Sequence, residues 1–196
     1  MDTVWMVGDV NAFDESWRRN WGDKADPIGW HLRGGPAWVR FHSLPESKRY
    51  ADTADEELEI LRRHYALIIE LNDGNPAGLV VISLRYPGDP EDDRSEAADA
   101  QFADALLWRD AREDERWGYI PAAHLSPHTL SAEELAPALK EISEDGLLRI
   151  VVTNGSADWL YIPYGGGADV FARTISERDR LRERHTDWLP RNAQGL

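Results

Sequence analysis

The sequence predicts an α+β fold with a largely antiparallel sheet of about five to seven strands and about four helices. Two observations carry this prediction. Strand-like runs often follow one another directly along the chain, whereas a parallel, doubly wound sheet requires regular alternation of strands and helices. Helix patterns that begin with capping residues occur at only a few separate places. Because no internal repeat and no long linker interrupts the chain, we expect residues 1–196 to form a single domain.

The first predicted element is a short helix or turn in residues 12–22, where aromatic side chains recur every four residues and share one face: Phe13, Trp17 and Trp21. Two strand-like runs follow, Gly29–Arg33 and Ala37–Ser43, and the Gly34–Pro36 segment between them predicts a hairpin turn. Strand geometry alternates the side chains of the second run between two sides of the sheet, so that three polar or aromatic residues face one side: Trp38, Arg40 and His42.

The strongest helix pattern covers Ala54–Leu71. Thr53 and Glu56 have the spacing of a capping box, in which a hydroxyl and a carboxylate accept hydrogen bonds from free backbone N–H groups. Apolar side chains then recur at helical spacing: Leu58, Leu61, Tyr65 and Ile68. The continuous apolar run in residues 78–86 predicts a buried central strand.

The middle of the chain has weaker patterns. Residues 87–96 are rich in Asp, Glu, Gly and Pro, which predicts an exposed loop, and residues 97–105 predict a short helix. Strand-like runs at 106–111 and 117–122 flank a charged segment, 112–116, so they predict a hairpin.

A second capping box, Ser131 to Glu134, predicts a helix that continues to Gly146 and contains Pro137 in its first turns, where proline is tolerated. Its core-facing residues share one side: Leu135, Leu139 and Ile142. Residues 147–154 predict another strand.

The C-terminal segment has the clearest pattern. Strand-like runs at Trp159–Tyr164 and Ala168–Ala172 flank three glycines, which reach positive φ at little steric cost and so predict a tight reversal: Gly165, Gly166 and Gly167. A final helix is predicted to open at Ser176 and to end before Pro190. The triple glycine lacks the lysine and hydroxyl residue of a phosphate-binding loop, so no cofactor is predicted.

Composition restricts the function classes. The 196 residues carry a formal net charge of −14, which disfavours direct contact with nucleic-acid phosphates and suits solubility or a basic protein partner. The chain has no cysteine, which excludes disulfides and thiol nucleophiles and fits a cytoplasmic location. The first residues lack the pattern of a signal peptide, and no apolar run is long enough to span a membrane, so no membrane association is expected.

Candidate catalytic residues are few. The polar segment that follows the Ala37–Ser43 strand predicts a site, and His42, Glu46 and Asp169 are the weak catalytic candidates. A Ser43 nucleophile with a histidine base lacks the nucleophile-elbow pattern, and capping or turn roles are the favoured explanation of Ser43, Glu46 and Asp169. His124 and His128 stand four apart, but Pro127 lies between them and no further ligand follows, so no metal site is predicted.

Several strings resemble a widespread group of small bacterial cytosolic proteins of unknown function: Pro27–Arg33, Trp38–Ala51, Glu59–Leu71, Trp159–Phe171 and Asp187–Leu189. That group shows an RFHSLPESKRYA-like string and a Tyr-Asp-Gly-Gly-x-Asp-Val turn before a helix that ends in Asp-Trp-Leu. The resemblance implies a bacterial cytosolic origin and brings no catalytic assignment. This chain has Gly165 where the group often has Asp, so any role of that acid is in doubt here.

Two function hypotheses follow, with a housekeeping domain as a third. The first is a binding module, such as a neutralising, immunity-type partner of a basic protein, because the chain is small, acidic and rich in Trp and Tyr. Its candidate contact residues lie in the polar segment and the glycine turn: Trp38, Arg40, His42, Glu46, Lys48, Arg49, Tyr164, Gly165, Gly166, Gly167 and Asp169. The second is a hydrolase with a site between the SLPESKRY segment (Ser43–Tyr50) and the glycine turn.

Overall fold

The computed structural model of the protein describes residues 7–86, 102–110, 120–144 and 149–191. Five helices lie within these ranges: α1 (Val7–Trp21), α2 (Gly29–Leu32), α3 (Ala54–Leu71), α4 (Ala136–Ser143) and α5 (Ile175–Arg184). The same ranges contain seven strands: β1 (Trp38–His42), β2 (Leu79–Arg85), β3 (Leu106–Asp110), β4 (Ala122–Leu125), β5 (Ile150–Asn154), β6 (Leu160–Tyr164) and β7 (Gly167–Phe171).

The strands form one sheet in the order β1-β7-β6-β5-β2-β4-β3, and every neighbouring pair is antiparallel. This arrangement confirms the predicted α+β class with its largely antiparallel sheet. The strands at 106–110 and 122–125 pair antiparallel, as the predicted hairpin requires. None of the described helices is long and apolar enough to cross a membrane.

Hydrophobic side chains cover both faces of the sheet. On one face, Phe13 and Trp17 of α1 pack against strand residues such as Val80, Val151 and Leu160. On the other face, residues of α3, α4 and α5 pack against alternate residues of the same strands, among them Leu67, Leu139, Leu181, Val81 and Val152. The aromatic spacing of residues 12–22 therefore does mark a helix, because its two central aromatic side chains are fully buried on the sheet.

The two capping boxes form as predicted. The Thr53 hydroxyl accepts a hydrogen bond from the Glu56 N–H, and α3 spans the predicted residues Ala54–Leu71. At the second box, the Glu134 carboxylate accepts from the Ser131 N–H at 2.7 Å, and the Ser131 hydroxyl accepts from the Glu134 N–H at 3.3 Å. A short 3-10 turn precedes α4 there, and the helix ends at Ser143, before the predicted limit.

The start of the final helix was predicted wrongly. Thr174, and not Ser176, caps α5: its hydroxyl accepts from the Glu177 N–H at 3.1 Å. The Glu177 carboxylate in turn accepts from the Arg173 N–H at 2.8 Å. A capping box two residues upstream therefore sets the boundary, because its threonine is already extended and its glutamate has the correct spacing.

The prediction of a strand at Gly29–Arg33 is also wrong, because Gly29–Leu32 form the short helix α2. Four consecutive residues, 26–29, are buried, which alternation along a strand would not produce. A Cβ atom at Gly29 would lie 3.3 Å from Ile162 Cγ2, so the glycine allows α2 to approach β6 closely. The Gly34–Pro36 segment accordingly joins a helix to β1 and is not a hairpin turn.

Two middle-chain predictions need correction or lie outside the described residues. The strand predicted at 117–122 is displaced, because Ile120 and Pro121 are not in a strand and β4 begins at Ala122. Of the helix predicted at 97–105, residues 97–101 are outside the described ranges, and residues 102–105 form a turn closed by a 3.0 Å bond from the Ala105 N–H to the Phe102 carbonyl. The predicted loop at 87–96 lies outside the described residues.

The glycine hairpin between β6 and β7 has the predicted form. Gly166 adopts φ +97°, a left-handed conformation that favours glycine. A Cβ atom at Gly167 would lie 2.3 Å from the Phe41 carbonyl oxygen, which belongs to the backbone of the neighbouring strand β1. The lack of a side chain at Gly167 is therefore a condition for pairing β1 with β7.

A buried polar pair joins α3 to the sheet. His64 Nδ1 and the Tyr161 hydroxyl lie 2.5 Å apart, and both residues are almost fully buried. His64 Nε2 is buried without a hydrogen-bond partner among the described residues. Burial lowers the pKa of His64 to about 4, so the imidazole is neutral at physiological pH.

We expect Gly167→Ala to lower the free energy of unfolding by roughly 3 kcal/mol, because the new methyl group would overlap a backbone oxygen that can move only with its strand. Urea denaturation followed by circular dichroism measures the change. Gly35→Ala is the matched control, since the nearest atom to its Cβ would be 3.8 Å away and the change should stay within about 0.5 kcal/mol. Equal stability of the two variants would contradict this account of the hairpin.

We expect the free energy of unfolding to fall as pH falls from 6.5 towards 4, by roughly 3 kcal/mol in total. In the unfolded chain the His64 imidazole takes up a proton near pH 6.5, whereas in the folded protein it is protonated only near pH 4. The unfolded state therefore binds more protons between these values. The hydrogen bond from the Arg62 guanidinium is the main cause that lowers the pKa of Glu59 to about 2. Protonation of Glu59 therefore reduces the free energy of unfolding only below pH 4.5.

Denaturation curves between pH 4.5 and 7.5 test this pH dependence in the wild type and in the double variant His64→Phe, Tyr161→Phe, which removes the buried pair. Burial also lowers the pKa of His42, so the variant should keep a shallower slope and not lose it entirely. His128→Gln is the control, and it should keep the wild-type slope. If the double variant and the wild type lose stability equally, His64 is not the responsible group.

Candidate functional site

Asp169 is the centre of the candidate site. It lies in β7 between Arg40 of β1 and Ile162 of β6, and only 1% of its surface is exposed. Its Oδ2 accepts hydrogen bonds from Arg33 Nε at 2.8 Å and from Arg33 Nη2 at 2.6 Å. Its Oδ1 accepts from Trp38 Nε1 at 2.8 Å. Both carboxylate oxygens are thus occupied, which keeps the buried charge compensated.

Separate elements deliver the two donors. Arg33 follows α2 directly, and α2 can lie against the sheet because Gly29 brings no side chain between its backbone and Asp169 Oδ2. Trp38 is the first residue of β1 and stands on the same sheet face as Asp169. The site therefore depends on packing between a short helix and two strands, and each contributes one residue.

Arg40 is a second cation at the same carboxylate, but it is not bonded to it. Its Nε lies 3.6 Å from Asp169 Oδ1, and that nitrogen is buried without a hydrogen-bond partner among the described residues. The guanidinium also lies 5.4 Å from the ring centre of Tyr164, within the range of a cation–π contact. One carboxylate therefore faces two guanidiniums, since Arg33 is already bound to Asp169.

Tyr164 contributes a buried hydroxyl. Its oxygen has no hydrogen-bond partner among the described residues, and it would lie 3.0 Å from a Cβ atom at Gly167. Burial, with a smaller contribution from Asp169, raises the pKa of Tyr164 well above its ordinary value. The phenol is therefore protonated at physiological pH and keeps one donor available. We name Asp169, Arg33, Trp38, Arg40 and Tyr164 the Asp169 cluster.

The SLPESKRY segment lies beside the glycine turn. The Ser43 N–H donates to the Gly166 carbonyl at 3.1 Å, and a Cβ atom at Gly166 would meet Arg49 Cγ at 2.9 Å. Glu46 and Ser47 both adopt left-handed backbone angles, with φ of 57° and 59°. Such angles are costly for residues with side chains, and consecutive ones are characteristic of loops whose shape is imposed by their surroundings.

The outer residues of this segment make ion pairs away from Asp169. Lys48 contacts Glu56 at 2.6 Å and Asp52 at 2.7 Å, which ties the segment to the start of α3. Glu46 pairs with Arg191, and 71% of its side chain is exposed. These contacts hold the segment in place and leave Arg49 over the turn.

His42 occupies the edge of the cluster. Its register partner is Gly167, so it stands on the same sheet face as Asp169 but two residues along the strand. Burial is the main cause that lowers the pKa of His42, and a hydrogen bond to the Gly166 backbone opposes that shift. The Arg63 guanidinium donates to the His42 carbonyl at 3.1 Å, so the end of β1 is fixed to α3.

The predicted site residues divide into two groups. The structure brings Trp38, Arg40, Tyr164 and Asp169 into one cluster, with His42, Arg49 and Gly165–Gly167 at its border. It places Glu46 and Lys48 outside, in the ion pairs above. The three residues of the predicted catalytic set therefore have different surroundings, one buried and bonded, one half-buried and one exposed.

The sequence prediction missed Arg33 and Gly29. Both lie in Pro27–Arg33, one of the strings that carry the family resemblance. Their place in this string is the sequence feature that could have indicated them. The predicted strand concealed this signal, because it treated residues 29–33 as part of the sheet and not as a helix that packs on it. Among the described residues no group of three or more histidines and carboxylates could hold a metal ion.

The C-terminal Asp187–Leu189 string is structural. Trp188 stacks on His185 with ring centres 4.1 Å apart, and the guanidiniums of Arg62 and Arg63 lie 5.4 and 5.0 Å from its ring. Glu70 accepts from His185 Nε2 at 2.9 Å. Residues 185–188 are thereby fixed to α3, on the sheet face opposite the Asp169 cluster.

Comparison with known proteins places this sequence in a family. No curated protein and no solved structure significantly matches the chain. The family model described as a domain of unknown function (DUF3885) matches residues 28–192, a range that holds every residue of the Asp169 cluster and excludes α1. Because this match spans most of the sequence, the chain belongs to the DUF3885 family.

Proposed function

We propose that the chain is a binding module that recognises an anionic group, a carboxylate or a phosphate, at the Asp169 cluster. The observation that carries this proposal is Arg40, a largely buried arginine whose Nε makes no hydrogen bond within the described residues and lies 3.6 Å from Asp169 Oδ1. A buried charge without hydrogen bonds is costly, and the planar guanidinium fork fits carboxylate and phosphate oxygens.

The local charge supports an anion. Asp169 neutralises one guanidinium, so the cluster keeps one positive charge, and Arg49 adds a further guanidinium beside it at the glycine turn. The side chains of Arg33 and Arg40 retain 29% and 11% of their surface exposed, so neither is sealed from solvent. The chain as a whole carries a net charge of −14, whereas the Asp169 cluster is locally positive and therefore attracts anions.

Arg33 is preorganised for binding. Asp169 accepts two hydrogen bonds from Arg33, so that this guanidinium keeps its position without a ligand, whereas the single N–H of Trp38 is already used by Asp169. The buried Tyr164 hydroxyl offers a neutral donor next to Arg40. The left-handed angles of Glu46 and Ser47 indicate that the neighbouring segment holds a costly shape, as segments at binding sites often do.

The neutralising, immunity-type role stays a prediction, and this site restricts its form. A basic partner would bring like charge against Arg33, Arg40 and Arg49. A protein partner at the Asp169 cluster must therefore present a carboxylate or phosphate there, and contact with a basic surface requires another face of the molecule.

A hydrolase has less support. Among the described residues Asp169 is hydrogen-bonded to Arg33 and Trp38 and not to His42, so it does not orient the imidazole. Glu46 is exposed and paired with Arg191. The lowered pKa of His42 would suit a general base, but a base also needs a nucleophile or water within hydrogen-bond reach.

Isothermal titration calorimetry with inorganic phosphate and with acetate, at constant ionic strength, tests the proposal. We expect Arg40→Gln to weaken binding of the preferred anion by about 10- to 100-fold, because a hydrogen bond to a charged group contributes about 1.5–3 kcal/mol. Tyr164→Phe removes only the hydroxyl and should weaken binding by a smaller factor.

Arg180→Gln is the matched control, since Arg180 is an exposed arginine on α5, outside the cluster. Circular dichroism and thermal melting establish that each variant is folded. Equal affinities of Arg40→Gln and Arg180→Gln would contradict the proposal. So would the absence of measurable heat with both anions, or stabilisation that chloride reproduces at the same ionic strength.

A further inference from the structure

A groove separates the N-terminal half of α3 from the C-terminal end of α4, on the helical layer opposite the Asp169 cluster. Its volume is about 280 Å³, and its lining is mainly apolar: Ala54, Glu57, Leu58, Leu61, Lys140 and Ser143. Leu58, in the second turn of α3, is 65% exposed, so the groove presents an apolar side chain to solvent.

The rim of this groove is acidic. Lys140 reaches across from α4 to Glu57 of α3 at 3.3 Å and also lies 3.8 Å from Glu144. Two carboxylates therefore share one ammonium at this place. The C-terminal carbonyl groups of α4 contribute further negative potential at this end.

Two details indicate that the carboxylates lack compensation. Burial is the main cause that raises the pKa of Glu141, and repulsion from the neighbouring Glu144 adds to the rise. The Lys140 ammonium shares its charge between two carboxylates at long distances, and about half of each side chain is exposed. A cation from outside the chain would relieve this repulsion.

We propose that the α3/α4 groove docks a basic segment of a protein partner, one that places an apolar side chain over Leu58 and Leu61 and lysines or arginines against Glu57 and Glu144. Charge complementarity selects this occupant, because Glu57 and Glu144 share the single ammonium of Lys140. A second copy of the chain would bring the same negative charge, and an anionic membrane would be repelled. The apolar floor distinguishes this surface from a merely solvated acidic face.

Fluorescence anisotropy with a short synthetic helical peptide of lysine and leucine tests the docking surface. The leucines stand at helical spacing, and two further peptides replace either every lysine with glutamate or every leucine with alanine. We expect only the lysine–leucine peptide to bind well. Leu58→Asp should weaken that binding by roughly tenfold or more, because the apolar contact is lost although the negative charge rises.

Leu107→Asp is the matched control, since Leu107 is 62% exposed on β3 and the substitution adds the same charge elsewhere. Lys140→Gln should strengthen binding, because it removes the cation that competes for Glu57 and Glu144. Arg40→Gln should leave peptide binding unchanged, so failure at this groove and failure at the Asp169 cluster are separate results.

Three outcomes would overturn the proposal. Undiminished binding by Leu58→Asp would show that only net charge attracts the peptide. Equal binding of the alanine-substituted peptide would show that the groove is not used. A dimer in analytical ultracentrifugation that Leu58→Asp dissociates would show that a second copy of the chain covers this face.

Discussion

The ion pair between Asp169 and Arg33 is the constraint on which one side of this fold depends. Asp169 lies almost fully buried in the second strand of the sheet, where an uncompensated carboxylate would be very unfavourable. Arg33 can compensate it only if α2 lies against β6, and Trp38 can take the second oxygen only if β1 pairs with β7 in the observed register. One carboxylate thus joins three segments, and removing one partner of such a buried pair typically costs about 3–5 kcal/mol.

Two glycines follow from this constraint. A side chain at Gly29 would press on Ile162 and hold α2 away from Asp169, and a side chain at Gly167 would collide with the backbone of β1. Gly29 lets α2, which precedes Arg33, lie close to β6, and Gly167 lets β1, which contains Trp38, pair with β7. Both donors thereby reach the Asp169 carboxylate. The glycine-rich turn is therefore part of the site because Gly167 lets β1 approach β7.

Local signals predicted much of this fold, and long-range packing decided the rest. The Thr53–Glu56 box and the spacing of Leu61 and Ile68 were sufficient for α3, because capping and amphipathic periodicity act within a few residues. Alternation along β1 correctly grouped Trp38 with Arg40. A helix of four residues is too short to show a helical period, so the sequence predicts a strand in place of α2 and does not assign Arg33 to the site. The register that sets Arg40 opposite Asp169 depends on residues far apart in sequence, which composition and spacing do not encode.

The sheet separates two electrostatic environments that a single net charge conceals. The Asp169 cluster shares its face with α1 and α2 and has more guanidiniums than carboxylates, whereas the α3/α4 groove on the other helical layer has more carboxylates than ammonium groups. Because salt screens charges over roughly 8–10 Å, a helical layer and a sheet between them keep the two fields from cancelling. A net charge of −14 therefore does not predict what each surface attracts. Ligands of opposite sign can bind the same small domain, each at the face whose local charge it complements.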